Sequence, residues 1–265
     1  MSDTETPGAR TFKVSGETYD RFMGRYSVQL AVVFADAAGI EAGQEALDVG
    51  CGPGALTAEL VRRLGPESVT ALDPSESFVE ACRLRHPGVD VRVGRAEQLP
   101  YPDDRFDAAL AQLVLHFVSD PDAAVREMSR VVRPGRIVAA SVWDVARGMR
   151  MLRVFWDAAR AVDPDAPDES RDRRFTAEED EIGGLFRTVG LRDVIEGALE
   201  VEVEYEDFDD FWLPFLTATG PAGAFVASLD DERRGRLREE MRERLGSPEG
   251  PFTLPARAWY ATGRA

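Results

Sequence analysis

The stretch best equipped for chemistry is Leu47-Asp48-Val49-Gly50-Cys51-Gly52-Pro53-Gly54, with Asp73 closing the next apolar run. Glycines at near-consecutive positions allow a tight turn and a close approach of ligand to backbone. The helical residues after Gly54 then aim a helix N-terminus at that ligand. Asp48 stands two residues before the first glycine, where the pyrophosphate of a dinucleotide would otherwise lie. A carboxylate there repels phosphate and suits an ammonium or a sulfonium. Asp73 is placed to hold the hydroxyls of a ribose. Gly50, Gly52 and Ala55 also satisfy the dinucleotide fingerprint, but Asp48 argues against that ligand. A nucleoside carrying positive charge fits both acids, and S-adenosylmethionine is that molecule.

The elements that must position these residues alternate. Short apolar runs at Glu45–Val49, Val69–Leu72, Val89–Val93, Phe106–Leu110 and Ile137–Val142 read as strands. Ala55–Leu64, Phe78–Leu84 and Ala123–Val132 read as helices, the last closed by a turn at Pro134-Gly135. Strands and helices in alternation imply a parallel sheet with helices on both faces, a doubly wound Rossmann-like α/β core. Beyond Trp143 the pattern changes. Arg147–Val162 is an amphipathic helix, Asp163–Asp172 an acidic loop, Ala177–Val189 a helix and Leu191–Tyr205 an extended segment. The aromatic stretch Phe208–Phe215, the charged helix Asp230–Leu245 and the strand-like Phe252–Thr262 complete the chain.

Composition narrows the classes. The 265 residues carry 32 basic and 48 acidic side chains, a formal net charge of −16, which disfavours a nucleic-acid substrate. Two cysteines, Cys51 and Cys82, make no disulfide framework, and no CxxC pair suggests a metal. Met1–Val14 is polar, and the run Phe106–Val118 is short of the roughly 18 residues a membrane span needs. These features point to a cytoplasmic protein without metal, nucleic acid or membrane partners. A monomer or homodimer is the expectation, and composition does not decide between the two.

The segments DVGCGPG, ALDPS, GRAEQLPYPDDRFDAALAQLVLHFVSDP and VVRPG, in that order, closely resemble class I S-adenosylmethionine-dependent methyltransferases. The resemblance is to the bacterial branch that contains quinone-biosynthesis and other small-molecule enzymes, and it covers Leu47–Val142. It implies a seven-stranded, mostly parallel sheet whose last strand, Phe252–Thr262, is antiparallel, plus a helical lid. Residues 45–143 would form the cofactor core, 1–44 a helical cover, and 144–190 and 206–250 lid insertions within a single domain. Gly50, Cys51, Gly52 and Gly54 would line the methionine and ribose, with Asp48 on the amino group and Asp73 on the ribose hydroxyls. Pro74 and Ser75 would flank the sugar, Ala96 and Glu97 the adenine, and Gln112 the methionine near the methyl donor. The family often carries an acid where Arg95 stands, and an arginine cannot accept from the adenine amino group. Tyr19 and Arg25 would cover the cofactor, Arg25 pairing with its carboxylate.

In such an enzyme the methyl passes in line from sulfur to a nucleophile, leaving S-adenosylhomocysteine, and the protein supplies alignment and water exclusion. His116 is the candidate general base where the acceptor must lose a proton; packing within the VLHF turn is its alternative role. His86 reads as a surface residue. Tyr26, Met151, Phe155, Trp156, Phe211 and Trp212 are candidates for an apolar acceptor pocket, and equally for a helix-packing core. The expected reaction is methyl transfer to an oxygen, nitrogen or carbon of a small molecule, such as a secondary metabolite. The alternative is a non-methylating enzyme, for example a cyclase, that keeps the same cofactor.

Overall fold

The computed structural model describes residues 20–167, 179–217 and 220–265. The apolar runs become strands β1 (Ala46–Val49), β2 (Val69–Asp73), β3 (Asp90–Val93), β4 (Phe106–Gln112), β5 (Val132–Trp143), β6 (Arg192–Tyr205) and β7 (Phe252–Arg264). They form one sheet in the order β3-β2-β1-β4-β5-β7-β6. The first five run parallel, and β7 is antiparallel to both β5 and β6. The last strand in sequence is thus the antiparallel one, as expected, yet it lies inside the sheet. The edge on that side is β6, which buries Leu199, Val201, Val203 and Tyr205 and exposes Glu200, Glu202 and Glu204. Charge along an edge discourages pairing with another chain.

Helices α1 (Arg25–Ala37), α2 (Ala55–Leu64) and α3 (Glu76–Arg85) lie on one face of the sheet, and α4 (Pro121–Val131) and α6 (Glu181–Val189) on the other. Strand alternation feeds both layers: Ala108 and Leu110 enter one core, Ala109 and Ala111 the other. The remaining helices, α5 (Arg150–Val162), α7 (Phe208–Trp212), α8 (Gly220–Ser228) and α9 (Asp231–Arg244), extend the first core beyond the end of β5. Residues 144–190 therefore divide, α5 packing on α9 while α6 covers β6 and β7 on the opposite face.

Several boundaries differ from the sequence expectation. Pro134-Gly135 is not a turn between the helix and the strand but lies within β5, which starts at Val132. Gly135 takes φ +77° within β5 and donates to the Ala265 carbonyl, while the β4–β5 register shifts between Phe106 and Ala108. The helix before it starts at Pro121 because the Asp120 side chain caps it, accepting from the Ala123 N–H at 3.0 Å. α6 starts at Glu181; Ala177 and the loop residues 168–172 lie outside the described residues, as do 1–19 of the N-terminal cover. Among the described residues no helix is long and apolar enough to cross a membrane.

Candidate functional site

Chain order reverses between β1 and β4, and the crevice at the carboxyl ends of these strands is where open α/β sheets take ligands. A cleft of about 990 Å³, mouth included, opens there. Its walls are the loops after β1, β2, β3 and β4, with Ser27 of α1 above.

The glycine loop is tied to β2, since the Gly50 and Cys51 N–H groups both donate to the Leu72 carbonyl, at 2.8 and 2.9 Å. Gly50 has φ +73°, and a Cβ there would stand 2.5 Å from the Val114 side chain. Gly54 has φ +103° and heads α2, where a Cβ would meet His86 Nε2 at 2.7 Å. Gly54 shapes the loop without lining the cleft. His86 corrects the sequence reading. It is half-buried behind the loop, its Nε2 is 3.1 Å from the Gly54 carbonyl oxygen, and burial lowers its pKa.

Two buried carboxylates border the loop. Asp48, at the end of β1, accepts from the Thr57 hydroxyl at 2.6 Å. Burial pushes its carboxyl up to about 7, against the pull of that bond and with the help of the Asp73 charge. Asp73 accepts the Gly52 N–H at 2.9 Å on one oxygen and the Ser75 N–H at 2.8 Å on the other. Burial likewise raises it, to about 6, while the backbone donors oppose the shift. A cation placed between these two acids would offset the desolvation each one suffers.

The cleft is lined by Pro74, Ser75, Phe78, Ala96, Phe117 and Val118, a largely apolar set, together with Asp73. Glu97 accepts from the Ser119 N–H at 3.0 Å and pairs with Arg95 at 3.4 Å. Arg95, which is exposed, thus lies on the lip of the cleft. Gln112, also in the cleft wall, donates through Nε2 to the Ser27 carbonyl at 3.0 Å, while its buried Oε1 has no partner among the described residues. Next to it, Leu113 holds φ +64°, rare for a non-glycine, and donates to the Ser141 carbonyl. Such strain persists where surrounding structure over-determines the backbone.

Of the residues expected at the cofactor, Asp48, Gly50, Cys51, Gly52, Asp73, Pro74, Ser75, Ala96, Glu97 and Gln112 meet at this cleft. Tyr19 lies outside the described residues. Arg25 is held elsewhere, in a bidentate pair with Asp210 at 2.6 and 2.5 Å, its guanidinium over the Tyr205 ring. The candidate pocket residues are packed in the core. Tyr26 shares a buried hydrogen bond with Tyr205 at 3.0 Å and meets Trp143 edge-on. Met151 receives the Tyr205 hydroxyl. Phe155 stacks on Phe215 with centroids 4.8 Å apart, and Phe211, Trp156 and Trp212 complete the cluster. His116 sits on the turn Leu115–Phe117 with its ring 4.0 Å from that of Phe117, and it is Phe117 that faces the cleft.

Sequence reasoning missed Ser27, Phe78, Leu113, Val114, Phe117 and Val118 as cleft residues. The usable signal is position, since apolar residues just past the ends of β2 and β4 must either seal a core or floor a ligand site.

Residues 47–140 match the model of a methyltransferase domain family. The chain is 38% identical over 115 residues to a fatty-acid O-methyltransferase of Mycolicibacterium smegmatis, covering 43% of this chain and 42% of that protein. A phthiotriol/phenolphthiotriol dimycocerosates methyltransferase of Mycobacterium tuberculosis is 38% identical over 95 residues, 35% of each chain. The chain thus spans about two-fifths or less of the length of these curated relatives. Among solved structures, a candidate type II methyltransferase from Anaeromyxobacter dehalogenans shares the fold with a TM-score of 0.62 and 25% identity, over 89% of this chain and 95% of that one.

Proposed function

We propose that the chain, whose residues 47–140 match a methyltransferase domain family, is a class I S-adenosylmethionine-dependent methyltransferase that transfers a methyl group from that cofactor to a small, largely apolar acceptor. One observation carries the reading: a glycine loop flanked by two buried carboxylates, Asp48 and Asp73, in the wall of one cleft, where burial raises both acids and a bound cation would offset that cost. The unpartnered Gln112 Oε1 beside them is a further acceptor awaiting a donor. The residues fit an adenosyl ligand with an ammonium-bearing tail. Asp48 and Gln112 would receive the ammonium and Asp73 the ribose hydroxyls. Pro74, Phe78 and Val118 would enclose the adenine, with Ala96 and Glu97 at its edge. Bound in this way, the cofactor supplies a sulfonium-activated methyl.

The chain's own work is alignment. Gly50, held by Leu72, lets the backbone approach without a side chain between. Gln112 ties α1 to the end of β4 through Ser27, closing the methionine end from water. The Arg25–Asp210 pair fastens the start of α1 to α7. Arg25 thus serves this cover by latching it rather than by meeting the cofactor carboxylate. Leu113 and Val114, with Ser27 above, form the surface over which the acceptor reaches the methyl. We assign His116 to setting the Phe117 ring rather than to proton transfer. The functions for which the relatives are named, methylation of a fatty acid and of phthiotriol dimycocerosates, favour an acceptor with an apolar body and a hydroxyl or carboxyl head.

The test is to incubate the protein with methyl-labelled S-adenosylmethionine and a panel of fatty acids and apolar alcohols. Label in an ester or ether, with equimolar S-adenosylhomocysteine, is the expected result. Binding of the cofactor with acceptor consumed but no S-adenosylhomocysteine would assign a non-methylating reaction instead.

A further inference from the structure

Asp48 does not face the cleft alone. Thr57, fully buried in the first turn of α2, points its hydroxyl at Asp48 Oδ2 at 2.6 Å. On its other side the Cys82 thiol, from α3, reaches Thr57 Oγ1 at 3.7 Å. A hydroxyl has one proton to give, and a donor occupying its lone pair leaves that proton directed at the carboxylate. The bonds therefore run one way, from Cys82 through Thr57 to Asp48.

We propose that Thr57 is a positioning residue for the cofactor site, fixing the rotamer and the ionised state of Asp48 from behind the cleft wall. The inference rests on the reading of Asp48 as the acceptor for the cofactor's ammonium, and it adds a residue that touches neither cofactor nor substrate.

The groups facing Asp48 are few. From β2 comes the Asp73 charge, which opposes ionisation; from α2 come the Thr57 hydroxyl and, to a smaller extent, the Thr57 backbone N–H, which favour it. The Cys51 and Cys82 thiols, on the glycine loop and α3, complete the surroundings. With burial pressing the carboxyl towards its neutral form, the one short bond that favours the anion comes from Thr57. Removing it moves the titration of Asp48 upward, so the cleft accepts a cation only at higher pH.

Thr57→Val removes the hydroxyl with little change of volume, and Thr57→Ser restores it. Calorimetric titration with S-adenosylhomocysteine from pH 6 to pH 9 reads the effect, with thermal melts to establish folding. The valine variant should show its binding midpoint raised by about one pH unit, a roughly tenfold loss of affinity below that midpoint, or 1.4 kcal/mol. The serine variant should follow the wild-type curve. Cys82→Val, which removes the thiol donor to Thr57 together with its bond to Cys51, should shift the midpoint in the same direction by less. A pH-independent loss of affinity in Thr57→Val, or a failure of serine to rescue it, would overturn the assignment.

A ligand-free readout separates this from the cofactor reading. The infrared carboxyl band that disappears in Asp48→Asn should titrate higher in Thr57→Val than in wild type. If that band shifts while no variant binds the ligand at any pH, the positioning role stands and the cofactor reading fails. If the band does not shift, Thr57 does not set the state of Asp48. Should Thr57→Val not fold, Cys82→Val carries the same comparison.

Discussion

Asp73→Asn isolates what a charge contributes at the second carboxylate. The Asp73 oxygens accept from Gly52 and Ser75 at 2.9 and 2.8 Å. An asparagine keeps one acceptor, but its NH₂ must then confront the other backbone N–H. Losing one bond to a charged acceptor costs about 1.5–3 kcal/mol. Against this stands the desolvation removed with the charge. The folded pKa of about 6 lies above the unfolded value of 3.8, so the ionised side chain lowers stability increasingly as pH rises from 4 through 6. At neutral pH that cost is roughly 3 kcal/mol, at about 1.4 kcal/mol per unit. The two terms are of similar size, and the melting temperature of the ligand-free variant should change little. Cofactor binding has no such offset. A ribose diol would lose its charged acceptor and confront an N–H donor, a net loss of about 2–4 kcal/mol, or roughly 30- to 700-fold in Kd. Calorimetry with S-adenosylhomocysteine at pH 7.5, alongside a thermal melt, measures both quantities. A folded variant whose Kd stays within about fivefold of wild type removes Asp73 from the ribose site.

Three further outcomes follow from the packing. Gly54→Ala should destabilise the fold by about 1–3 kcal/mol, because the residue has φ +103° and its Cβ would strike His86; His86→Ala in the same chain should recover part of this loss in chemical denaturation, the φ strain remaining. Phe155→Ala should cost about 3–5 kcal/mol by emptying an aromatic core position, with cofactor affinity unchanged in the folded fraction; loss of acceptor affinity without loss of stability would return Phe155 to the substrate pocket. For Arg25 and Asp210, partly exposed at 37% and 23%, a double-mutant cycle in urea should give a coupling of about 1 kcal/mol after solvent screening. Breaking that pair should also hasten limited proteolysis ahead of α1, and an unaltered cleavage rate would mean that the latch holds nothing.

What the sequence determined by itself was the local part. Positive φ at Gly50, Gly52 and Gly54, the period-two and helical runs, and an acid at the end of β1 and of β2 depend on residues a few positions apart, and these were readable along the chain. Tertiary structure decided what depends on distance through space. β7 inserts between β5 and β6 because its hydrogen bonds are satisfied on both sides there, which no periodicity specifies. His86 became the wall behind Gly54, and Arg25 found a carboxylate 185 residues away instead of a ligand. The aromatic residues after Trp143 could not be assigned along the chain for a physical reason: a dry core and an apolar ligand pocket ask for the same side chains. Only the packing of Phe155 on Phe215, and of Tyr26 on Tyr205, selects between the two.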